Sequence, residues 1–171
     1  MGYEDWKSPR SITMGALLAV LASIIQASAL YLPLLGISLC SISTLFVALS
    51  GYLNAVTGMM TYLISAILLL FWGFPHALVF MCSSGLLGLC LGVLLKRKYP
   101  IYAVALISSV CLSAGLLFAC KLLGIPLFPW LTGDNRLFFF PVLMLYSLIY
   151  TIVWIGLLSF TVERLKEYVN I

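Results

Sequence analysis

The sequence predicts an all-α integral membrane protein, a compact six-transmembrane-helix bundle with both termini in the cytoplasm (N-in/C-in). Three observations predict it. Hydrophobic residues make up 64% of the chain and charged residues 8%, against about 45–50% and about 25% in a typical soluble domain. No Lys, Arg, Asp or Glu occurs from Ser11 to Leu95, a stretch long enough for four crossings at about 20 residues each. The cations are also unevenly placed. Of nine Lys and Arg, Lys7, Arg10, Lys96, Arg97, Lys98, Arg164 and Lys166 fall on segments that six crossings put on one side. Only Lys121 and Arg136 fall toward the other side, and the positive-inside rule assigns the larger group to the cytoplasm.

The 171 residues form one membrane domain, divided by turn residues and helix breakers. Span 1 covers about residues 12–31 and ends before LPLLG. Span 2 covers 37–53 and span 3 covers 54–72, with Gly51, Asn54 and Gly58 suited to a tight turn between them. Gly73 and Pro75 of WGFPH close span 3. Span 4 covers 77–95 and ends at the basic run Lys96-Arg97-Lys98. Span 5 covers 101–123, and a long loop, GIPLFPWLTGDNR, follows it. Span 6 covers 138–162, with Pro141 in its first turn, where a missing N–H is tolerated. Continuous apolar runs of this length exclude barrel strands, which alternate and are about 10 residues long. The polar opening MGYEDWKSPRS and the length of the first apolar run predict no cleavable leader. MGYEDW also lacks the Ser or Thr at its sixth position that myristoylation favours. The net charge of +4 is topogenic on this reading and needs no nucleic-acid partner.

Function has to sit inside the bundle or at its outer mouth, because few residues are left for loops. The outward loops carry Tyr31, Trp72, His76, Trp130, Thr132, Asp134, Asn135 and Arg136, with Lys121 about one turn below the outer end of span 5. Charges near a span are expensive and tend to face an interior or a wet cavity. A small outer pocket is therefore expected, using Lys121, Trp130, Asp134, Asn135, Arg136, Trp72 and His76. Aromatics there would stack a flat solute, and the cations would hold an anionic group. Each residue also has a plainer role. Trp72 and Trp130 suit an interfacial aromatic belt, Lys121 can snorkel, TGDN is turn chemistry, and His76 can cap a helix end. The basic run Lys96–Lys98 suits topology and contact with anionic membrane lipids.

Gly15, Ala19 and Ser23 recur every four residues on span 1, and Gly85, Gly88 and Gly92 form a similar stripe on span 4. Such stripes let backbones approach closely in lipid, either within the bundle or against a partner. The five cysteines, Cys40, Cys82, Cys90, Cys111 and Cys120, fall in spans without a CxxC pair and suit small apolar core positions. No metal site and no cofactor is expected. Ser83-Ser84-Gly85 is similar to the serine segment of an intramembrane protease. It lacks the leading glycine, however, and the single His76 lies on a loop before the same helix. With no HExxH, Walker sequence or acidic pair in a span, a non-enzyme is expected.

The middle of the chain resembles the substrate-binding S component of energy-coupling factor transporters. The stretch VALSGYLNAVTGMMTYLISAILLLFWGFPHALVF resembles their tightly turned helix pair with its short outer loop. GLLGLCLGVLLKRKYP resembles their glycine-rich fourth helix with a basic end. The resemblance implies a plasma-membrane importer subunit that captures a vitamin-like or other micronutrient solute at the outer face. It also implies docking through helices 1 to 3 onto a membrane coupling subunit carrying two ATPase subunits, with Gly15 and Ala19, or Ala19 and Ser23, at the positions of the Ala-x-x-x-Ala pattern of helix 1. The alternative is a non-catalytic accessory or structural membrane protein that docks a partner through the same small-residue faces.

Overall fold

The computed structural model describes residues 9–32, 35–124 and 136–169, with the side chains of 10, 35, 37–38, 136–138 and 165–169 left out of the description. The described elements are α1 (Pro9–Tyr31), α2 (Leu35–Leu53), α3 (Ala55–Leu70), α4 (Phe74–Cys82), α5 (Ser84–Lys96), α6 (Ile101–Leu123) and α7 (Arg136–Val169). Among the described residues, four segments are long and apolar enough to cross a membrane: Ser11–Tyr31, Phe74–Lys96, Ile101–Leu123 and Phe139–Arg164. Leu39–Leu53 and Ala55–Leu70 are shorter apolar helices.

The ends of the shorter helices coincide with the ends of the long ones. Lys96 Nζ donates to the Leu53 carbonyl at the C-terminus of α2, a favourable place for a cation. Asn54 caps α3, its Oδ1 accepting from Val56 N–H at 3.0 Å. Nearby, Ser11 and Thr57 share a hydroxyl hydrogen bond of 2.8 Å. Ser11, Leu53, Thr57 and Lys96 therefore mark one end of the bundle. At the other end, Tyr31 and Trp72 meet edge-to-face at 5.7 Å. The α2–α3 pair extends between these two levels.

α1 and α3 run parallel in a fixed register. Thr61 Oγ1 donates to the Gly15 carbonyl and Ser65 Oγ to the Ala19 carbonyl, each at 3.1 Å, one turn apart and with the same sequence offset as Ser11–Thr57. Gly15, Ala19 and Ser23 are buried, and a Cβ on Gly15 would meet Thr57 Cγ2 at 2.7 Å. Of the two uses open to the stripe in the sequence, packing within the bundle is the one seen here. The small residues are used within the chain because they let α3 bring its hydroxyls onto α1 carbonyls. Thr61→Val with Ser65→Ala is expected to lower stability by about 1 kcal/mol, at about 0.6 kcal/mol per interhelical bond in lipid. Thermal unfolding of the purified double variant measures this.

α2 packs on α5 through Gly88 and Gly92, whose Cα positions face the backbone of Thr44, Ala48 and Tyr52. Two apolar cores follow. One gathers Ala48, Leu87, Leu91, Val104, Ala105, Leu112, Trp154, Ile155 and Leu158 from α2, α5, α6 and α7. The other gathers Ala22, Ala27, Val47, Ala66, Leu69, Ala77 and Phe80 from α1 to α4.

Two sequence expectations change here. The fourth span is two helices, broken at Ser83 (φ −120°, ψ −95°); no proline marks the position. Pro141 lies inside α7 rather than in its first turn, because the helix already begins at Arg136. The proline therefore removes one i to i−4 hydrogen bond that would have reached residue 137.

Candidate functional site

At the Tyr31–Trp72 end of the bundle, Gly73 turns the chain with φ +138°, a conformation open to glycine, and Pro75 stands in the first turn of α4. The turn sets Trp72 against Tyr31 and fixes His76, whose N–H donates to the Gly73 carbonyl at 3.1 Å. His76 is half-buried and Trp72 is exposed. Lys121, expected to face the interior in a binder, is exposed in the last turn of α6. Arg136 opens α7, with its side chain outside the description. Trp130, Asp134 and Asn135 lie outside the described residues. The structure thus brings Trp72 and the His76 turn together beside Tyr31.

A second polar locus lies deep in the bundle. Gln26, the only glutamine of the chain, is 6% exposed. Its Oε1 accepts from Ser43 Oγ of α2 at 2.7 Å and from Ser84 Oγ of α5 at 3.2 Å. Ser84 is the first residue of α5, so the amide stands at the N-terminus of the second half of the broken span. The break itself is well supported. Tyr62 Oη donates to the Met81 carbonyl at 3.1 Å, and the Tyr62 ring stacks on Phe80 at 6.1 Å. Ser83 Oγ returns to the Val79 carbonyl at 2.5 Å. α6 then closes over the break, since Gly115 faces the Cys82 carbonyl with no room for a Cβ. An interrupted helix inside an apolar bundle requires this kind of re-satisfaction of freed backbone groups. The two serines that suggested protease chemistry have these partners: the Val79 carbonyl for Ser83 and the Gln26 amide for Ser84.

Sequence reasoning missed Gln26. Its signal was present as a lone amide in a charge-free apolar run, where an unpaired polar group is costly. Oε1 takes two hydroxyls, and among the described residues no group accepts from Nε2. The amide can therefore offer donors to a carbonyl or carboxylate next to the positive end of a half-helix.

α2 and α7 enclose a lateral groove of about 340 Å³ walled by Ser41, Tyr146, Tyr150 and Trp154, among others. Tyr146 and Tyr150 stack at 6.0 Å, and Tyr150 meets Trp154 at 6.1 Å.

A family profile described as "Predicted membrane protein (DUF2232)" matches residues 4–127, well over half of the chain. No curated protein matches the chain, and no solved structure matches it.

Proposed function

The chain belongs to the predicted membrane protein family DUF2232, and we propose that it is a non-catalytic, membrane-embedded solute-binding subunit of an importer. On this reading it crosses the plasma membrane six times with both termini in the cytoplasm. It captures a small vitamin-like or other micronutrient molecule at the outer face and passes it to an ATP-driven coupling module. The observation that carries the reading is the broken fourth span with Gln26 at the break. Discontinuous helices whose half-helix N-termini point at a buried locus are the usual construction of solute sites near the bilayer midplane. Support for six crossings comes from Lys96 on the Leu53 carbonyl and from Tyr31 against Trp72. These contacts put the ends of the α2–α3 pair level with the ends of the longer helices.

A bundle without an ATP site can bind and present a solute, and uphill movement has to come from a partner. The small face of α1 is filled by α3, so a coupling subunit would meet the opposite face, where Ile12, Leu17, Val20 and Ile24 are exposed. The test is a thermal-shift screen of the purified chain against vitamins, nucleobases and small carboxylates. A ligand at about 100 times its Kd should stabilise by about 2.7 kcal/mol, and a flat response across the panel contradicts the reading. For an anionic hit, Lys121→Ala and Arg136→Ala should each weaken binding. Unchanged affinity in both removes these two residues from the site.

A further inference from the structure

Several hydroxyls in this bundle bond back to their own helix. Ser109, Ser113 and Thr161 each donate to a carbonyl three or four residues earlier. Ser159 does not, although it shares a turn of α7 with Thr161. Ser159 is half-buried and lines a hollow of about 180 Å³ with Tyr52 of α2, Leu95 of α5, and Leu158, Val162 and Glu163 of α7. The α2–α7 groove is almost wholly apolar, whereas this hollow presents polar and apolar surface in similar amounts. Among the described residues, the side chains of Tyr52, Ser159 and Glu163 have no hydrogen-bond or ion-pair partner. Arg164, the neighbour of Glu163 in the chain, lies over the Phe160 ring at 5.4 Å.

The hollow stands at the Lys96 end of the bundle. Tyr52 precedes Leu53, whose carbonyl receives Lys96 Nζ, and Leu95 precedes Lys96 itself. A cation therefore stands at the rim on the α2–α5 side and a carboxylate on the α7 side. An ammonium has three N–H donors, so Lys96 keeps donors beyond the one given to Leu53. Toward the middle of the span, α7 turns a strip outward. Ile152, Gly156, Ser159 and Glu163 are spaced by four, three and four residues, which places them on one face of the helix. Ile152 and Phe160 are exposed on this side, and a Cβ on Gly156 would have nothing within 4 Å. The glycine leaves a shallow trough in an apolar surface, within the segment Phe139–Arg164 that is long and apolar enough to cross a membrane. The trough leads to the hollow.

We propose that this hollow binds one phospholipid of the adjoining leaflet, with a headgroup that carries a phosphodiester and a primary ammonium. The ammonium occupies the hollow, the phosphodiester meets Lys96 at the rim, and one acyl chain lies in the trough at Gly156. The three N–H groups of a primary ammonium match three acceptors, the Glu163 carboxylate and the Ser159 and Tyr52 hydroxyls. A trimethylammonium headgroup has no N–H to give them. A headgroup with a phosphodiester and no amine would set its net negative charge beside Glu163 with nothing to offset it. The two charges of the zwitterion and the two opposite charges of the rim are thus complementary. This differs from the general attraction of Lys96, Arg97 and Lys98 for anionic lipids, which needs neither a hollow nor a carboxylate. On the six-crossing topology the leaflet is the cytoplasmic one. The site uses none of the residues of the outer-mouth solute site, so each can fail without the other.

The test titrates the delipidated, purified full-length chain by native mass spectrometry with dioleoyl phosphatidylethanolamine, phosphatidylcholine and phosphatidylglycerol, and with water-soluble glycerophosphoethanolamine. One phosphatidylethanolamine should bind about tenfold more tightly than either other lipid, the effect of one hydrogen bond to a charged group. Glycerophosphoethanolamine, which has the headgroup and no chains, should bind more weakly than the lipid by a similar factor. Glu163→Gln should abolish the preference over phosphatidylcholine, and so should Tyr52→Phe/Ser159→Ala. Neither variant should lower the lipid-free Tm, because no bond within the chain is lost. Gly156→Val should weaken phosphatidylethanolamine and leave the lipid-free Tm unchanged. The proposal is overturned if the three lipids bind alike, if phosphatidylglycerol binds most tightly, or if the preference survives both Glu163→Gln and Tyr52→Phe/Ser159→Ala. It is also overturned if glycerophosphoethanolamine binds as tightly as the lipid, which would make the ligand a soluble headgroup. Any of these results leaves the solute-binding reading standing, since that reading is tested by the solute screen.

Discussion

Gly92→Val should remove most of the folded protein recovered from membranes, while Gly156→Val should leave recovery unchanged. A Cβ at Gly92 would run into the Ala48 carbonyl and the Tyr52 amide of α2. Backbone atoms cannot swing aside as a side chain can, so α5 would have to move away from α2. That movement would open the core around Leu87, Leu91 and Ala48, which are at most 1% exposed. Overpacking of this kind costs about 1–3 kcal/mol, occasionally more, and Gly88 one turn earlier offers no relief, since its own Cβ would meet the Thr44 carbonyl at 2.6 Å. Gly156 has nothing within 4 Å, which makes it the matched control for a glycine replaced in a membrane helix. Fluorescence size-exclusion of tagged variants reads both outcomes.

Gln26→Leu is expected to destabilise the bundle by about 2 kcal/mol. The substitution nearly keeps the volume and removes the shared acceptor of Ser43 and Ser84. Ser43 has a second acceptor in the Cys40 carbonyl at 2.6 Å, whereas Ser84 Oγ is left buried without its partner, at a cost of about 1–3 kcal/mol. The double variant Gln26→Leu/Ser84→Ala should therefore be more stable than Gln26→Leu alone, because removing both partners is close to neutral. A stepwise loss in the double variant would mean that the amide does not support the half-helix through Ser84. Thermal unfolding in one detergent measures the cycle.

Much of the architecture was legible because lipid imposes a strong rule. A charge-free run from Ser11 to Leu95 has few structural solutions, and Gly73 and Asn54 mark their turns through backbone preference. The break at Ser83 was not legible. Neither Ser83 nor Cys82 is a helix breaker, and the interruption depends on groups distant in sequence: Tyr62 on Met81, Gln26 on Ser84 and Gly115 on Cys82. The α1 stripe was visible as a pattern but not in its use, since Gly15-Ala19-Ser23 reads alike for an internal or an external neighbour. Thr57, Thr61 and Ser65 share its spacing of four on α3, and that pairing was the available clue. For the site, the eye was drawn to charge. Lys121 is exposed, while the buried polar side chains among the described residues, Gln26 included, are neutral.

The account depends on α2 and α3 crossing fully, which puts the basic face and both termini on one side and the Trp72–His76 mouth on the other. The direct measurement is cysteine labelling in intact cells. Cys40, Cys82, Cys90, Cys111 and Cys120 are replaced by Ala, and single cysteines are placed at Leu53 and Phe71, which are 47% and 85% exposed. An impermeant maleimide should label Phe71→Cys from outside and should reach Leu53→Cys only after permeabilisation, in parallel with Lys98→Cys. Labelling of Leu53→Cys in intact cells, or no labelling of it on either side, would contradict six crossings.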